Sequence, residues 1–255
     1  MTAVNLSIRW VVCLTLLLAL AGCHRPPRNP PTVFLVGDST MGPKEADRRP
    51  ETGWGEMLGD FLPGIPVENH ARNGRSTRSF RAEGRWRSVL EKVQAGDYVF
   101  IQFGHNDSKT ESDRYASPET FEGNLRQFVA EVRERGGRPV LLTPVIRRKF
   151  DAVGQLVRTH GGYPAATRRA AAATGTPLID MTEKSRMLVA GYGDPASRSL
   201  YLWSRPGEHD NYPRGVEDDT HFSPVGAREM ARLVAGGIRQ ARLPLRRFVV
   251  LPATE

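Results

Sequence analysis

The chain predicts an α/β fold of three layers, with helices covering both faces of a central, parallel sheet of five strands. Five short apolar runs alternate with longer amphipathic stretches along the sequence. A continuous apolar run bounded by polar or glycine-rich residues suits a strand buried on both faces, as in a parallel sheet. Two Ser-Pro pairs, Ser117-Pro118 and Ser223-Pro224, each offer an N-cap followed by proline at the first helical position, where the missing N–H costs nothing. Alternation of strand and helix is the pattern of a sheet sandwiched between helices.

In chain order, Trp10 to Leu20 is apolar, follows Arg9, and is too short to span a bilayer, which takes about 20 residues. Residues 1–22 therefore read as an export signal rather than part of the fold. Leu20-Ala21-Gly22-Cys23 resembles a bacterial lipobox, with cleavage before Cys23 and lipid on its thiol. Cys13 would leave with the signal, so no thiol remains for a disulfide, a metal or a cysteine nucleophile. An ordinary secretory peptide with a chance cysteine is the alternative. His24 stands where aspartate would favour inner-membrane retention, so the outer membrane is expected in a Gram-negative cell. Residues 23–31 are rich in proline and read as a tether.

The remainder of about 230 residues fits one domain, placed at 32–243 with a tail at 244–255. Its strands are expected at 33–36, 65–67, 98–103, 140–142 and 178–179. Helices are expected at 83–94, 118–135, 164–174 and 182–190, with a last one after Ser223-Pro224. Loops that leave parallel strands at their carboxyl ends share one rim, where sites form. Ser39 follows the first strand, Asn73-Gly74 the second and Gly104-His105-Asn106-Asp107 the third.

The formal charge is +8, carried almost entirely by arginine. A basic surface attracts acidic polymers, whether uronic-acid polysaccharide or nucleic acid. The arginines are scattered and no aromatic-basic stripe appears, which argues against nucleic acid. Arginine on solvated helix faces would explain the balance without any partner.

A serine on a strand-to-turn junction, as in Gly37-Asp38-Ser39-Thr40, is ordinary turn chemistry by itself. It becomes a nucleophile only beside a base and oxyanion donors. Asp218-Asp219-Thr220-His221 can supply the base, since an aspartate three residues before a histidine can curl back to accept the imidazole Nδ1–H and leave Nε2 to face a serine. No paired histidine or cysteine spacing suggests zinc, and no metal or cofactor is expected.

Together these blocks resemble the SGNH hydrolase superfamily, or GDSL-type esterases, through Gly37-Asp38-Ser39, Gly74, Gly104-His105-Asn106-Asp107 and Asp218 to His221. The resemblance implies a flavodoxin-like α/β/α sandwich. It also implies Ser39 as nucleophile, His221 as general base and acid, Asp218 as its orienting partner, and an oxyanion hole of the Ser39 and Gly74 N–H groups with the Asn106 amide. A narrower likeness, to the rhamnogalacturonan acetylesterase branch, runs through Gly74 to Phe80, Thr143 to Phe150, Thr159 to Pro164, Pro177 to Asp180 and Asp219 to Pro224. It implies removal of acetyl groups from pectin.

Arg75, Arg78, Arg147 and Arg148 could then meet a uronate carboxylate, or could serve as scaffold ion pairs. Trp203, with Tyr201, His209 and Tyr212 in the stretch 198–214, could stack on sugar rings or pin a long loop. Two other readings stay open. One is a lipid or thioester hydrolase with the same triad; the other is a carbohydrate-binding protein without hydrolysis. Oligomeric state is not legible.

Overall fold

A computed structural model describes residues 30–252. The export signal, Cys23 and most of the expected tether lie outside the described residues; Pro31 is already buried.

The central sheet has five parallel strands in the order β2-β1-β3-β4-β5. They are β1 (Val33–Gly37), β2 (Val67–Asn69), β3 (Tyr98–Gln102), β4 (Arg138–Leu142) and β5 (Leu178–Ile179). Side chains of β1 alternate strictly between two cores. Val33 and Leu35 join Tyr98, Phe100, Val140 and Leu142 on one face, while Phe34 and Val36 join Val99, Ile101 and Leu141 on the other. Period-two alternation with every position apolar is what a strand covered on both faces requires.

The first face is covered by α1 (Trp54–Met57), α6 (Met181–Tyr192) and α7 (Pro224–Gln240). The second is covered by α2 (Thr77–Ala82), α3 (Arg85–Leu90), α4 (Pro118–Glu134) and α5 (Tyr163–Thr174). The Ser-Pro starts occur as expected: Ser117 Oγ accepts the Thr120 N–H at 3.2 Å and Ser223 Oγ that of Gly226 at 3.1 Å.

Four expectations need correction. The helix expected at 83–94 is two short helices that begin earlier, at Thr77, under a Ser76 cap. Gly84 separates them in the left-handed region (φ 72°), which ends one helix and starts the next in a new direction. The second strand begins at Val67 rather than Ile65, because Val33 N–H reaches back to the Pro66 carbonyl and pairing starts one residue later. The stretch 198–214 is not a free insertion: β6 (Tyr201–Ser204) pairs antiparallel with β7 (Val216–Phe222) as a separate hairpin. Finally, 244–252 is packed, with Leu245 and Val249 buried and Val250 N–H bonded to the Phe61 carbonyl at 3.0 Å. Among the described residues no helix is long and apolar enough to cross a membrane.

Candidate active site

The strand order reverses between β1 and β3, since β2 lies outside β1 and the chain then crosses to the far side. Loops leaving β1 and β3 diverge there and open a crevice at the carboxyl ends. Ser39 sits on the turn after β1 and Asn106 on the loop after β3.

The Ser39 turn is held from beneath by a buried relay. Asp38 Oδ1 accepts the Thr40 N–H at 3.0 Å and its hydroxyl at 2.9 Å. Gln102 Nε2 donates to Thr40 Oγ1 at 2.8 Å, and Trp54 Nε1 donates to Gln102 Oε1 at 3.1 Å. Burial pushes the Asp38 carboxyl up against the Thr40 hydrogen bonds.

His221 and Asp218 reach the same crevice on β7. In a regular strand, residues three apart point to opposite faces, so the pair could not meet. The hairpin register shifts here: Tyr201 lies opposite Phe222, but the next residue, Leu202, lies opposite Asp218. Residues 219–221 therefore bulge, which bends a strand and re-aims its side chains. Asp218 Oδ1 fastens the bulge by accepting the Thr220 and His221 N–H groups at 2.7 and 2.9 Å. Its Oδ2 stands 2.7 Å from His221 Nδ1, and His221 Nε2 stands 2.9 Å from Ser39 Oγ. Burial pushes the Asp218 carboxyl up, but the hydrogen bond and charge of His221 and the two backbone donors outweigh it and hold it at about 2. It is therefore ionised at neutral pH.

Asp219, the neighbouring carboxylate, belongs to the scaffold. Its Oδ1 accepts Arg148 Nη1 at 3.1 Å and Trp203 Nε1 at 2.9 Å, and its carbonyl accepts the Arg148 N–H at 2.8 Å. Arg148 also meets Asp194 and Ser197, so this buried guanidinium locks the bulge from behind.

Across the crevice, Gly74 takes φ 77°, a left-handed backbone that favours glycine. Among the described residues neither the Gly74 N–H nor the Ser39 N–H donates a hydrogen bond within the protein. Asn106 Nδ2 gives one hydrogen to the Arg75 carbonyl at 3.0 Å, which ties its loop to the Gly74 loop and leaves the second amide hydrogen. Asp107 strengthens that tie by accepting the Thr77 N–H and hydroxyl at 2.9 and 2.6 Å; burial raises its carboxyl to about 7. Ser39, Gly74 and Asn106 line one open cleft of about 400 Å³ with His221.

Among the described residues four cations line the same cleft, Arg48, Lys109, Arg114 and Arg147, and no carboxylate does. Of the arginines expected to meet substrate, Arg147 is there. Arg75 is turned to Glu83 at 2.9 Å and to the Asn73 carbonyl, and it does not line the cleft; neither does Arg78, exposed on α2. Trp203 lies away from the cleft, sandwiched with Arg148 and Arg198 at 5.4 and 4.3 Å and lining a separate depression. The stretch 198–214 serves to pin a loop, since Tyr212 Oη donates to the Arg48 carbonyl at 3.0 Å and Asn211 Nδ2 to those of Ala46 and Arg49.

Sequence reading missed the ion pair beneath Ser39. Lys44 Nζ donates to the Ser39 carbonyl and, at 2.9 Å, to Asn73 Oδ1, and lies 2.9 Å from Glu51 Oε1 with both side chains fully buried. Arg48 holds the other Glu51 oxygen at 2.7 Å, and His221 Nε2 is 3.9 Å from Oε1. Burial depresses the Lys44 ammonium despite Glu51, while Lys44, His221 and Arg48 hold the Glu51 carboxyl down despite its burial. Lys44 so clamps the serine turn to the Gly74 loop. Its lone signal in the sequence was a lysine five residues after Ser39 in an arginine-rich chain.

A serine, an imidazole and a carboxylate in hydrogen-bonded series beside backbone N–H groups are an arrangement chemically suited to acyl transfer. Among the described residues no group of three His, Cys, Asp or Glu side chains could hold a metal ion. Residues 35–229 match the model of the GDSL-like lipase/acylhydrolase family, and the chain belongs to that family of ester-cleaving enzymes.

Particular relatives narrow the likeness. Rhamnogalacturonan acetylesterase RhgT of Bacillus subtilis is 44% identical over 224 residues, covering 88% of this chain and 96% of that one. A probable rhamnogalacturonan acetylesterase of the same organism, YesY, is 37% identical over 86% of this chain and 97% of its own length. Among solved structures, YxiM of Bacillus subtilis superposes with a TM-score of 0.73 at 26% identity, over 86% of this chain and 59% of that longer one.

Proposed function

We propose that this chain is a carbohydrate O-acetylesterase that removes acetyl groups from a pectic backbone through a serine acyl-enzyme. The observation that carries the reading is His221 bridging Ser39 and Asp218 beside two backbone N–H groups with no partner among the described residues. Ser39 Oγ attacks the acetyl carbonyl as His221 Nε2 takes its proton. The negative oxygen settles among the Ser39 N–H, the Gly74 N–H and the second amide hydrogen of Asn106. His221 then protonates the departing sugar alcohol, and water repeats the sequence to release acetate. Fixed donors around the developing charge supply the largest share of the rate.

Two features favour a uronate-bearing polysaccharide over a lipid. The cleft is ringed by Arg48, Lys109, Arg114 and Arg147, and it is an open depression rather than an apolar acyl channel. Two Bacillus subtilis relatives named for rhamnogalacturonan match this chain over 96% and 97% of their own length. Acetate release from acetylated rhamnogalacturonan by wild type and by Ser39→Ala tests the reading. Equal release by both removes Ser39 as nucleophile; faster turnover of long-chain than of acetyl esters favours the lipase alternative. Oligosaccharide bound and never cleaved favours a binding protein.

We also propose export and lipid anchoring at Cys23, supported by Leu20-Ala21-Gly22-Cys23 after an apolar run. Mass spectrometry of the N-terminal peptide from membranes should find Cys23 acylated, and Cys23→Ser should move the protein to the soluble fraction. An unmodified Cys23 in membrane-bound protein refutes the anchor.

A further inference from the structure

We propose that the C-terminal cap, residues 239–252, is a second contact with the membrane: a basic surface that lies on anionic phospholipid headgroups. The sequence from Met230 to Thr254 contains five arginines and not one carboxylate. Arg232 pairs with Glu229 on α7. The other four, Arg239, Arg242, Arg246 and Arg247, are exposed and form no ion pair among the described residues. Most arginines on the helical faces behave differently and meet a carboxylate, as at Arg81, Arg126, Arg168 and Arg228.

Stabilisation of the fold accounts for only part of this set. Arg239 stands in the last turn of α7, where the helix dipole favours a cation, and its Nη2 donates to the Val249 carbonyl at 2.8 Å. Arg246 Nη1 donates to the Arg242 carbonyl at 2.8 Å. The side chains of Arg242 and Arg247 donate to nothing in the protein among the described residues, although Arg247 lies 4.7 Å over the Phe248 ring. Arg239, Arg246 and Arg247 line one open concavity, and Val250 beside them is 55% exposed. Exposed arginines with an exposed aliphatic group, and no ion-pair partner among the described residues, suit a surface of phosphates above hydrocarbon.

The position of the cap in the fold points to a bilayer as its occupant. The chain enters the sheet at the same end: Thr32 N–H donates to Asp97 Oδ1 at 2.8 Å, and Val33 N–H to the Pro66 carbonyl at 2.9 Å. The cap is fastened there by Val250 N–H on Phe61, five residues before Pro66. The catalytic residues lie at the opposite ends of the strands. Helix α7 starts next to His221 and runs 17 residues away from it, about 25 Å at 1.5 Å per residue. A membrane that meets the cap therefore also meets the end where residue 30 leads out of the fold, and it leaves the cleft facing away from the bilayer toward a polymer in solution. This surface stands apart from the esterase reading, because none of its residues touches the cleft.

Binding of the full chain to vesicles of phosphatidylcholine, with and without one third phosphatidylglycerol, tests the assignment. Wild type is compared with Arg239→Gln/Arg242→Gln/Arg246→Gln/Arg247→Gln. The N-terminal apolar run is common to both proteins, so the gain on adding the anionic lipid isolates the arginines. Each arginine near an anionic surface contributes on the order of a fivefold gain, so wild type should gain several-hundred-fold and the variant a few-fold at most. At about 1 M salt, where the screening length is about 3 Å, the gain should vanish.

Acetyl-ester turnover reports that the variant is folded, and should be unchanged. If it is lost, Arg242→Gln/Arg247→Gln, which removes no hydrogen bond of the fold, should still lose over tenfold of the gain. An equal gain for wild type and the folded variant overturns the proposal. So does arginine-dependent retention on polygalacturonate without preference for anionic vesicles, which would make the cap a polysaccharide site.

Discussion

Lys44→Met is the perturbation whose cost the structure defines most closely. The Lys44 and Glu51 side chains are both fully buried, 2.9 Å apart, and among the described residues only His221 Nε2, at 3.9 Å, also approaches Glu51 Oε1 as an ion-pair partner. Removing one partner of a buried pair costs about 3–5 kcal/mol because the other charge stays behind without compensation. Arg48 keeps the second Glu51 oxygen paired at 2.7 Å from a half-exposed position. The loss should therefore sit at the lower end, about 3 kcal/mol, which is on the order of a hundredfold in the folded-to-unfolded ratio. For a domain of this size it corresponds to a fall in Tm of about 6–12 °C.

Lys44→Met/Glu51→Gln removes both charges and should recover to within about 1 kcal/mol of wild type, since neutral replacements of a buried pair are tolerated. Urea unfolding at pH 7, with the m-value unchanged, reads both numbers. The double variant should still lose roughly tenfold in kcat with KM little altered, because the Ser39 carbonyl and Asn73 are no longer held together and small misplacements of a nucleophile are costly. A single variant that loses under about 1 kcal/mol, or a double variant as unstable as the single, refutes this account of the pair.

Three further outcomes follow from the geometry. Asn106→Ala should lower kcat by about 10²–10³ with a small change in KM, by loss of one oxyanion donor; initial rates on an acetyl ester check it, and an unchanged kcat removes Asn106 from the hole. Asp218 is held at about 2 against 3.8 when unfolded, so between those values the unfolded chain binds more protons and stability rises with pH. That contribution, about 2 kcal/mol, should be complete above pH 4 and lost on acidification toward pH 2, and Asp218→Asn should flatten this part of the stability profile. Lys109→Gln/Arg114→Gln should raise KM for acetylated rhamnogalacturonan about tenfold or more while leaving 4-nitrophenyl acetate unaffected, because only the polymer carries carboxylates for the cleft cations. An equal effect on both substrates would assign these cations to the chemistry rather than to polymer binding.

Local information carried a large part of the architecture. Val33 to Val36, Tyr98 to Ile101 and Val140 to Leu142 are apolar at every position, as a strand covered on both faces requires, and Ser117-Pro118 and Ser223-Pro224 mark two helix starts by their own chemistry. Gly84 was legible in principle as a break between α2 and α3, but amphipathic periodicity runs through it and hides the turn. The packed cap at 244–252 escaped notice because its apolar residues are few and its contact, Phe61, is far away in sequence.

The sequence by itself determined much of the strand and helix pattern and two helix caps, and it singled out Ser39, Gly74, Asn106, Asp218 and His221 as candidates, because each stands in a short motif beside a strand or helix end. Only the tertiary structure decided which charges act at the cleft. Arginines look alike in sequence, and their partners do not: Arg75 is turned away to Glu83 and Arg148 to Asp194 and Asp219, while Lys109, Arg114 and Arg147 line the opening, as does Arg48 from its pair with Glu51. The same holds for the bulge that lets Asp218 and His221 share a side, and for Lys44 meeting Glu51 under Ser39. Charge pairing and strand register depend on distances between distant parts of the chain, and those distances exist only once the sheet has brought its loops to one rim.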